Sequence, residues 1–459
     1  MNYKKKQINQ PIIPYRQNIS SHHLPVLDPM DKEGFDKIIA VHEMDSHIHI
    51  LASTRSGKSE LIKLIFIKQV QKEDGSIVVF DPNGDLSRQC AKLMNHKKDI
   101  IFIDPTIKQG FTITINPFRL KKIDEETISI VAQEIINALE NIIGKEFSPN
   151  MEALLTPLIY TLLRKGDSGI DELLTFLDDD KNDDLIEYAL KSPIKAHVDF
   201  IKSQFSKAKF STTKDALSTK IQLLLNNPVF TNFTTGESTI DLEKALNNKK
   251  TIIIRLPKGK MRKTLEPAAK LIMASIQGIV FKRADLPEEL RPKTYLICDE
   301  YQNLFSGMSD EMLSESAKNK LFILGAHQYS SQLTTKSKEG LMSAASIKVV
   351  GRNSNKDLKM MAEEIEVDLP QLKSLKQGQF FIKVGANNAI KIATSDKYLG
   401  DKIGISDEKW KKHLKYQIKH YYKKVSINEE TSVVPTNDIS TTNNSKDGAS
   451  LPIPKFDIE

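Results

Sequence analysis

The stretch that decides the predicted fold is His49-Ile50-Leu51-Ala52-Ser53-Thr54-Arg55-Ser56-Gly57-Lys58-Ser59-Glu60. Apolar residues before the loop predict a short buried strand, and those after it are spaced as on one helix face. A loop that ends in Gly-Lys-Ser between a strand and a helix is typical of a P-loop, because backbone N–H groups and a helix N-terminus both attract phosphate oxygens. In a P-loop, Lys58 reaches the β- and γ-phosphates and the Ser59 hydroxyl is a ligand of Mg²⁺.

The match to the usual G-x-x-x-x-G-K-[ST] motif fails at one position, where Ala52 replaces the first glycine. A motif loosened in this way occurs by chance in roughly a few per cent of chains of this length, so an ordinary Gly-Lys-Ser turn is the alternative. The strand before the loop and the helix after it favour the P-loop. We therefore predict a run of consecutive nucleotide-binding residues, which are Ala52, Ser53, Thr54, Arg55, Ser56, Gly57, Lys58, Ser59 and Glu60.

Composition limits the class of protein to which the chain can belong. Its 459 residues are 39% hydrophobic and 27% charged, which is ordinary for a globular protein and leaves room for two or three domains. No apolar run reaches about 18 residues and the N-terminus lacks a secretory signal, so we expect no transmembrane segment. The cysteines, Cys90 and Cys298, form no ligand cluster and fit a reducing cytoplasm. The net charge of +7 permits a nucleic-acid or membrane-surface partner without requiring one.

Changes in the hydrophobic pattern divide the chain into segments. Continuous β-branched runs such as residues 76–80 predict parallel strands buried on both faces, and such runs occur on either side of a long helical stretch. Residues 37–42 predict a further short strand, and residues 380–384 with 389–393 predict a final hairpin. We therefore predict one α/β nucleotide-binding domain in two parts, residues 31–120 and 249–400, with an all-helical insertion at residues 121–248.

The two ends of the chain differ from this pattern. Residues 1–30 are polar and contain several prolines, and they predict an extended arm. Residues 401–425 predict a basic aromatic helix, in which Trp410, Leu414 and Ile418 form an apolar stripe while the lysines face phosphate or solvent. Residues 426–459 are rich in Thr, Asn and Ser and predict a disordered tail, because they have little to bury.

Basic and aromatic residues also alternate within the helical insertion, where lysines surround Phe200, Phe205 and Phe210. Lysines bind phosphates and phenyl rings stack on bases, so a nucleic-acid surface is one interpretation. The other is a solvated helix face with its aromatic rings in the core, and we favour it.

Carboxylates follow two of the predicted strands, at the edge where ligands collect in an α/β sheet. Asp299 and Glu300 form a Walker B element, in which Asp299 holds Mg²⁺ through water or the Ser59 hydroxyl and Glu300 orients the attacking water. Asp81 and Asp85 follow another strand. They bind Mg²⁺ or position water, directly or from behind the residues that do, or else they form a turn with a helix N-cap at Asp85, which is the favoured interpretation of these residues taken alone.

Two later strands also end in polar residues. Gln328 senses the γ-phosphate, or else makes an ordinary backbone hydrogen bond in a loop. Arg352 pairs with phosphate across a subunit interface, or else with a nearby carboxylate. The predicted catalytic residues are thus Lys58, Glu300, Gln328 and Arg352, and the predicted metal ligands are Ser59 and Asp299.

With these motifs in order, the chain resembles the HerA/FtsK branch of P-loop ATPases, and within it the TraG/TraD-type coupling proteins of conjugation and type IV secretion. The resemblance covers about residues 35–400. The joint occurrence of these motifs is more specific than any one of them. It therefore favours the functional interpretation of Asp81, Asp85, Gln328 and Arg352 over the ordinary structural one. The matching stretches are Ile50–Glu60, Val78–Leu86, Ile115–Phe118, Leu296–Glu300, Met312–Leu333 and Lys348–Asn355.

The resemblance implies a RecA-like P-loop NTPase with a mostly parallel central sheet and an all-helical inserted domain. It implies a cytoplasmic, Mg²⁺-dependent and DNA-stimulated ATP hydrolase that acts as a DNA-translocating or coupling motor in conjugative DNA transfer by a type IV secretion system. The implied cofactors are ATP and Mg²⁺. The implied partners are DNA, further copies of the chain in a hexamer, and secretion or relaxosome proteins.

Several features differ from the family's pattern. Ala52 replaces the first P-loop glycine and Arg55 stands where many relatives have glycine, although the backbone donors are kept. Ala317 stands where relatives have an arginine that resembles the finger supplied to a neighbour's site, and Lys318 or Arg352 are candidate substitutes. Many coupling proteins have N-terminal membrane helices and this sequence shows none, so a peripheral position at the inner face of the membrane is the alternative to a free cytoplasmic protein.

Two other functions stay open on the sequence. One is a DNA-packaging motor of the same branch. The other is a nucleotide-gated adaptor that binds ATP and partners with weak hydrolysis, an alternative that rests on Ala317.

Overall fold

A central sheet positions every motif described above. The computed structural model describes residues 24–82, 84–94, 99–120, 124–256, 260–303, 310–398, 400 and 404–425. Residues 1–23 of the predicted arm and the whole predicted tail, residues 426–459, lie outside these ranges. The strands within them are β1 (Val26–Leu27), β2 (His47–Leu51), β3 (Gly75–Asp81), β4 (Ile100–Ile103), β5 (Phe111–Thr112), β6 (Thr251–Arg255), β7 (Lys293–Asp299), β8 (Leu321–His327), β9 (Ala345–Val350), β10 (Gln379–Val384), β11 (Ile390–Thr394) and β12 (Lys423–Lys424).

Helices connect most of these strands. The first three are α1 (Lys32–Ile38), α2 (Lys58–Lys72) and α3 (Asp85–Leu93). The long segment between β5 and β6 contains α4 (Glu125–Ile143), α5 (Pro149–Lys165), α6 (Ile170–Leu177), α7 (Asp183–Ala189), α8 (Lys195–Ser203), α9 (Ala208–Leu225), α10 (Pro228–Thr234) and α11 (Leu242–Asn247). The remainder are α12 (Lys260–Phe281), α13 (Asp310–Lys318), α14 (Thr335–Ala344), α15 (Asn355–Ile365), α16 (Leu369–Lys373) and α17 (Asp407–Tyr421). Short 3₁₀ helices lie at Val41–Met44, Gly144–Glu146, Lys282–Asp285, Glu288–Leu290, Tyr301–Asn303, Ser330–Gln332 and Asp396–Tyr398.

Ten strands form the sheet, in the order β1-β11-β10-β9-β2-β8-β7-β3-β6-β4. Neighbours pair in parallel except at β9–β10 and β10–β11, which are antiparallel. The strands β5 and β12 form a separate antiparallel pair. The predicted mostly parallel sheet is therefore confirmed, and the predicted final hairpin is the β10–β11 pair.

Both faces of the sheet are covered, which explains the continuous apolar runs. Along β3, Val78 and Phe80 belong to one hydrophobic core, whereas Ile77 and Val79 belong to a second core on the opposite face. Successive side chains of a strand point to opposite faces, so a strand between two layers of helices is apolar at every position. The molecule thus has three layers, with α4, α5 and α12 contributing to the first core and α1, α2 and α3 to the second.

The predicted insertion is helical, since every regular element between β5 and β6 among the described residues is a helix. Its helices share one continuous core with the sheet, in which Leu154 and Leu217 of the insertion are grouped with Ile254 of β6. A separate all-helical domain is therefore not confirmed, and its boundaries stay a prediction. Phe205 and Phe210 are buried in this core, as the favoured interpretation of the aromatic residues requires.

The strand predicted at residues 37–42 is wrong, because α1 ends at Ile38 and a 3₁₀ helix begins at Val41. Asp31 caps α1, since its carboxylate accepts a hydrogen bond of 2.9 Å from the backbone N–H of Gly34. Phe35 and Ile38 are buried and lie one helical turn apart. The N-cap and this spacing favour a helix over the short apolar run that suggested a strand.

The predicted basic aromatic helix is α17, and it covers the outer edge of the sheet at β4. Trp410 is buried and its ring packs edge-on against Phe102, with 5.4 Å between the ring centroids. Gln417 accepts from the N–H of Phe102 at 2.9 Å and donates to the carbonyl of Ile100 at 3.0 Å. The Tyr422 hydroxyl donates to the carbonyl of Phe102 at 2.7 Å and accepts from the N–H of residue 104 at 2.9 Å.

Those four bonds satisfy outward-facing backbone groups of Ile100, Phe102 and Asp104, so two side chains cover an edge that would otherwise be free to pair. The lysines of α17 are exposed, and they are Lys409, Lys411, Lys412, Lys415 and Lys419. Within the described residues, no helix is both long enough and apolar enough to cross a membrane.

Candidate nucleotide site

The loop between β2 and α2 has the backbone geometry that phosphate binding requires. Gly57 caps α2 with φ of 99°, and Arg55 also lies in the left-handed region, with φ of 60°. The loop N–H groups that donate to no acceptor among the described residues are those of Thr54, Arg55, Gly57, Lys58, Ser59 and Glu60. A run of unpaired donors at the N-terminus of a 15-residue helix fits an oligophosphate.

The alanine that breaks the P-loop motif is accommodated by a glycine elsewhere in the chain. Ala52 is fully buried, and a Cβ placed on Gly351 would lie 2.8 Å from the Cβ of Ala52. The methyl group of Ala52 therefore occupies space that any other residue at position 351 would need. The N–H of Ala52 donates to the carbonyl of His327 at 3.2 Å and that of Ser53 to the carbonyl of Arg352 at 2.8 Å, which attaches the loop to the ends of β8 and β9.

The two predicted phosphate and metal motifs meet in a buried ion pair between Lys58 and Asp299. Burial raises the pKa of the Asp299 carboxyl, Lys58 opposes that shift, and the charges of Glu300 and Asp81 add to it. Three carboxylates thus lie near one another while Lys58 pairs with Asp299 alone, so the site has excess negative charge that a divalent cation would neutralise.

Two residues close to Lys58 in the sequence of the loop, Ser56 and Ser59, carry hydroxyl groups. Ser59 is the second residue of α2 and is exposed, so its hydroxyl is available to a ligand. Ser56 is buried, and its Oγ has no hydrogen-bond partner in the part of the chain that the structure describes. A buried hydroxyl without a partner is costly and fits a loop whose bonds are completed by a bound group.

Glu300 is held by a chain of side chains that sequence reasoning found only in part. Gln328 donates to Oε1 of Glu300 at 2.5 Å, and Gln302 donates to Oε2 at 2.6 Å. The hydroxyl of Thr54, in the P-loop, donates to Oε1 of Gln328 at 2.8 Å. The predicted Gln328 and Glu300 are therefore brought together, and Gln302 is a neighbour that no motif indicated.

The carboxylates after β3 have different positions. Asp81 is fully buried, and its Oδ2 accepts from the N–H of Ser87 at 2.8 Å in the first turn of α3. Gly84, rather than the expected Asp85, is the N-cap of α3, because Asp81 supplies the capping oxygen from the end of the strand. Asp85 is the first helical residue and is exposed. Asp81 acts on the site through its charge, as its effect on Asp299 indicates.

The candidates for the finger cation separate in space. Arg352 follows β9, its side chain is exposed, and its carbonyl accepts from the P-loop of its own chain. The structure shows no ion pair between its side chain and a carboxylate of the described residues. Lys318 ends α13 just before β8 begins, so it lies at the sheet edge opposite to Gln328. A parallel strand of seven residues separates these two edges.

A pair of histidines joins the strand that enters the P-loop to the strand that ends at Gln328. Nε2 of His49 lies 2.7 Å from Nε2 of His327, whose Nδ1 donates to the carbonyl of Tyr329 at 3.1 Å. Burial lowers the pKa of His327 to about 4 and places the pKa of His49 well below its usual range. Both rings are therefore neutral near pH 7, and His49 is the donor to His327. No sequence motif indicated this pair.

Comparisons with known proteins agree with this geometry. The family model described as Helicase HerA, central domain, matches residues 29–276, more than half of the chain. No match was found among curated proteins.

Solved structures of a conjugative coupling protein, TrwB, share the fold. The plasmid coupling protein TrwB in complex with the non-hydrolysable ATP analogue ADPNP is 16% identical, with a TM-score of 0.58 over 80% of this chain and 88% of that chain. TrwB in complex with ADP and Mg²⁺ is 16% identical, with a TM-score of 0.58 over 77% and 86% of the two chains. The unbound monoclinic form of TrwB lacking its N-terminal segment gives 0.57 over 79% and 87%, also at 16% identity.

Proposed function

The chain belongs to the family of Helicase HerA, central domain, and from that premise we propose that it is a Mg²⁺-dependent ATPase. The observation that carries this proposal is the meeting of Lys58, Asp299, Glu300 and Gln328 at one edge of the sheet. Phosphoryl transfer needs mainly positioning and charge stabilisation, and these groups provide both. The ADPNP and ADP–Mg²⁺ complexes of TrwB support the choice of nucleotide and metal.

The proposed roles follow from the contacts. The unpaired N–H groups of the P-loop bind phosphate oxygens, and Lys58 exchanges its ion pair with Asp299 for the phosphates. Asp299 and the Ser59 hydroxyl would hold Mg²⁺, which would supply positive charge against the phosphates. Glu300 orients the attacking water and Gln328 contacts the γ-phosphate. Asp81 holds α3 and adds negative charge, while Asp85 lies exposed in the first turn of α3 and stays a candidate for a supporting role.

Arg352 is the proposed source of the missing finger charge. Arg352 is exposed beside the P-loop, whereas Lys318 lies at the opposite edge of the sheet, at the end of α13. An exposed arginine can pair bidentately with phosphate, either in its own chain or in a neighbouring one. We propose that the chains assemble as a ring, a hexamer as in the family resemblance, with Arg352 near the junction between copies.

DNA is the proposed substrate of movement, and conjugative transfer through a type IV secretion system is the proposed setting. The support is the fold shared with a conjugative coupling protein together with a basic outer face on α17. An adaptor with weak hydrolysis is the second candidate, favoured by the half-buried Ala317 at the finger position.

The test is ATP hydrolysis by the purified protein, alone and with single- or double-stranded DNA. We expect DNA-stimulated turnover that is lost in Lys58→Ala and in Glu300→Gln. The matched controls are Lys359→Ala and Glu363→Gln, which alter exposed residues of α15 and should turn over like the wild type. Tight ATP binding without turnover under any DNA condition would instead establish the adaptor.

A further inference from the structure

We propose that Gln302 is a positioning residue for Glu300, an inference that rests on the proposed ATPase function. Gln302 comes two residues after the Walker B glutamate and belongs to no motif of the sequence. Its amide nitrogen donates to Oε2 of Glu300 at 2.6 Å. Its role is to hold the orientation of the Glu300 carboxylate while Gln328 exchanges its hydrogen bond to Glu300 for a contact with the nucleotide.

The carboxylate of Glu300 is clamped at both oxygens. Gln328 donates to Oε1 at 2.5 Å and Gln302 donates to Oε2, so one amide holds each oxygen. A carboxylate accepts about four hydrogen bonds, and two therefore remain for water. Glu300 is 5% exposed, so these two amides are its main substitutes for solvent.

The backbone brings the side chains of residues 300 and 302 together. Glu300 has φ of 57°, in the left-handed region, which reverses the chain at the end of β7. Tyr301 anchors the turn because its ring is fully buried against β8, where a Cβ on Gly325 would lie 2.8 Å from the ring. A non-glycine residue in this conformation is strained, and such strain is typical of functional sites.

The two amides differ in what else they contact. Oε1 of Gln328 accepts from the hydroxyl of Thr54, which lies in the P-loop among the unpaired N–H groups. A phosphate that enters the loop competes for Thr54 and for the amide of Gln328. Gln302 contacts no P-loop residue among those described, so its bond to Oε2 can persist while the other bond is exchanged.

The consequence is a division of labour within the clamp. When Gln328 turns to the nucleotide, Oε1 of Glu300 becomes available to water, and Gln302 prevents the carboxylate from rotating away. Loss of Gln302 should therefore lower turnover without weakening nucleotide binding. A residue that only stabilises the fold would instead lower the melting temperature or change both constants.

The experiment measures kcat and KM for ATP in Gln302→Ala and in Gln302→Glu. The second variant keeps the size of the side chain but replaces the donor by a like charge. A hydrogen bond to a charged group is lost, so we expect kcat to fall roughly tenfold or more in both, with KM within about twofold. The control is Gln371→Ala, an exposed glutamine on α16 that should leave both constants unchanged.

Epistasis with Glu300 completes the test. In single-turnover hydrolysis, Gln302→Ala should add no further loss to Glu300→Gln, because the positioning residue acts only through that carboxylate. If the wild type hydrolyses ATP and both Gln302 variants keep its kcat, the inference is overturned while the proposed ATPase function stands. Additive losses in the double variant would also overturn it. Absence of hydrolysis by the wild type itself would overturn the proposed function and this inference together.

Discussion

The carboxyl edge of the sheet and its outer edge at β4 both bury polar groups, but they satisfy them in opposite ways. At β4, Gln417 and Tyr422 bond to the outward-facing backbone groups with neutral donors and acceptors. At the carboxyl edge, the charges of Glu300 and Asp81 act on Asp299, which pairs with Lys58, and a run of N–H donors has no protein acceptor among the described residues.

The difference teaches where stability and function are separated in this fold. Matched neutral bonds stabilise a structure and do no chemistry. Like charges, a strained φ at Glu300 and unpaired donors cost stability, and they persist where a ligand completes them. Changes at the first edge should therefore affect unfolding, and changes at the second should affect turnover.

The largest effect is expected for Glu300→Gln. This change removes the negative charge proposed to orient water but keeps the shape of the side chain, so kcat should fall by about 10²–10⁴. Thermal stability should change little, because removing one of several like charges from a buried site offsets the loss of one of the two hydrogen bonds from Gln302 and Gln328. Steady-state hydrolysis and thermal melting check both statements, with Glu363→Gln beside them. A large drop in melting temperature would show that the two edges are not separated in this way.

The opposite behaviour is expected for Gln417→Leu at β4. Leucine has a similar volume but leaves the carbonyl of Ile100 and the N–H of Phe102 without partners. We expect the free energy of unfolding to fall by about 2–6 kcal/mol, at about 1–3 kcal/mol for each of the two buried groups, with kcat for ATP unchanged. Urea unfolding measures the loss, and Gln371→Leu is the exposed control. Unchanged unfolding would mean that α17 does not secure this edge.

The histidine pair predicts how acid affects the carboxyl edge. His327 has a pKa of about 4 in the folded chain, below the usual 6.5, so the unfolded state binds its proton first. The contribution of the neutral His327 ring to the free energy of unfolding is complete above about pH 6.5 and is lost as the pH falls toward 4. The total loss is about 3 kcal/mol.

Urea unfolding at pH 7.5 and pH 5 measures this loss. The comparison uses the wild type, His327→Asn and the exposed control His420→Asn. Of the three proteins, only His327→Asn should show a smaller dependence of the free energy of unfolding on pH. Equal slopes in all three proteins would contradict the assignment of the buried pair.

The smallest effect is expected at the contact that accommodates Ala52. Gly351→Ala adds a methyl group that meets Ala52 and the ring of Phe380, the latter at 2.7 Å. Such overpacking costs about 1–3 kcal/mol and should displace the P-loop, raising KM for ATP more than it lowers kcat. The double change Ala52→Gly with Gly351→Ala should recover part of the loss. No recovery would show that Phe380, rather than Ala52, limits the space.

Motifs predicted the parts of the site that depend on local sequence. The Gly-Lys-Ser loop, the Asp-Glu pair after an apolar strand and the final hairpin are each read from a few adjacent residues. The structure brings Lys58 to Asp299 and Gln328 to Glu300, as an edge shared by parallel strands requires. The failure at residues 37–42 has a local cause, because an apolar run that short fits a strand and a helix equally well.

By itself the sequence determined the class of the fold, the P-loop and the identity of the residues that carry charge at the site, because periodicity and turn chemistry act over a few residues. Only the tertiary structure decided that Gly351 makes room for Ala52, that Gln302 and Gln328 share one carboxylate, and that Gln417 closes β4. These contacts join residues through strand order or through a backbone reversal at one residue. Strand order and a backbone reversal leave no pattern along the sequence, so only the packing of the folded chain reveals these contacts.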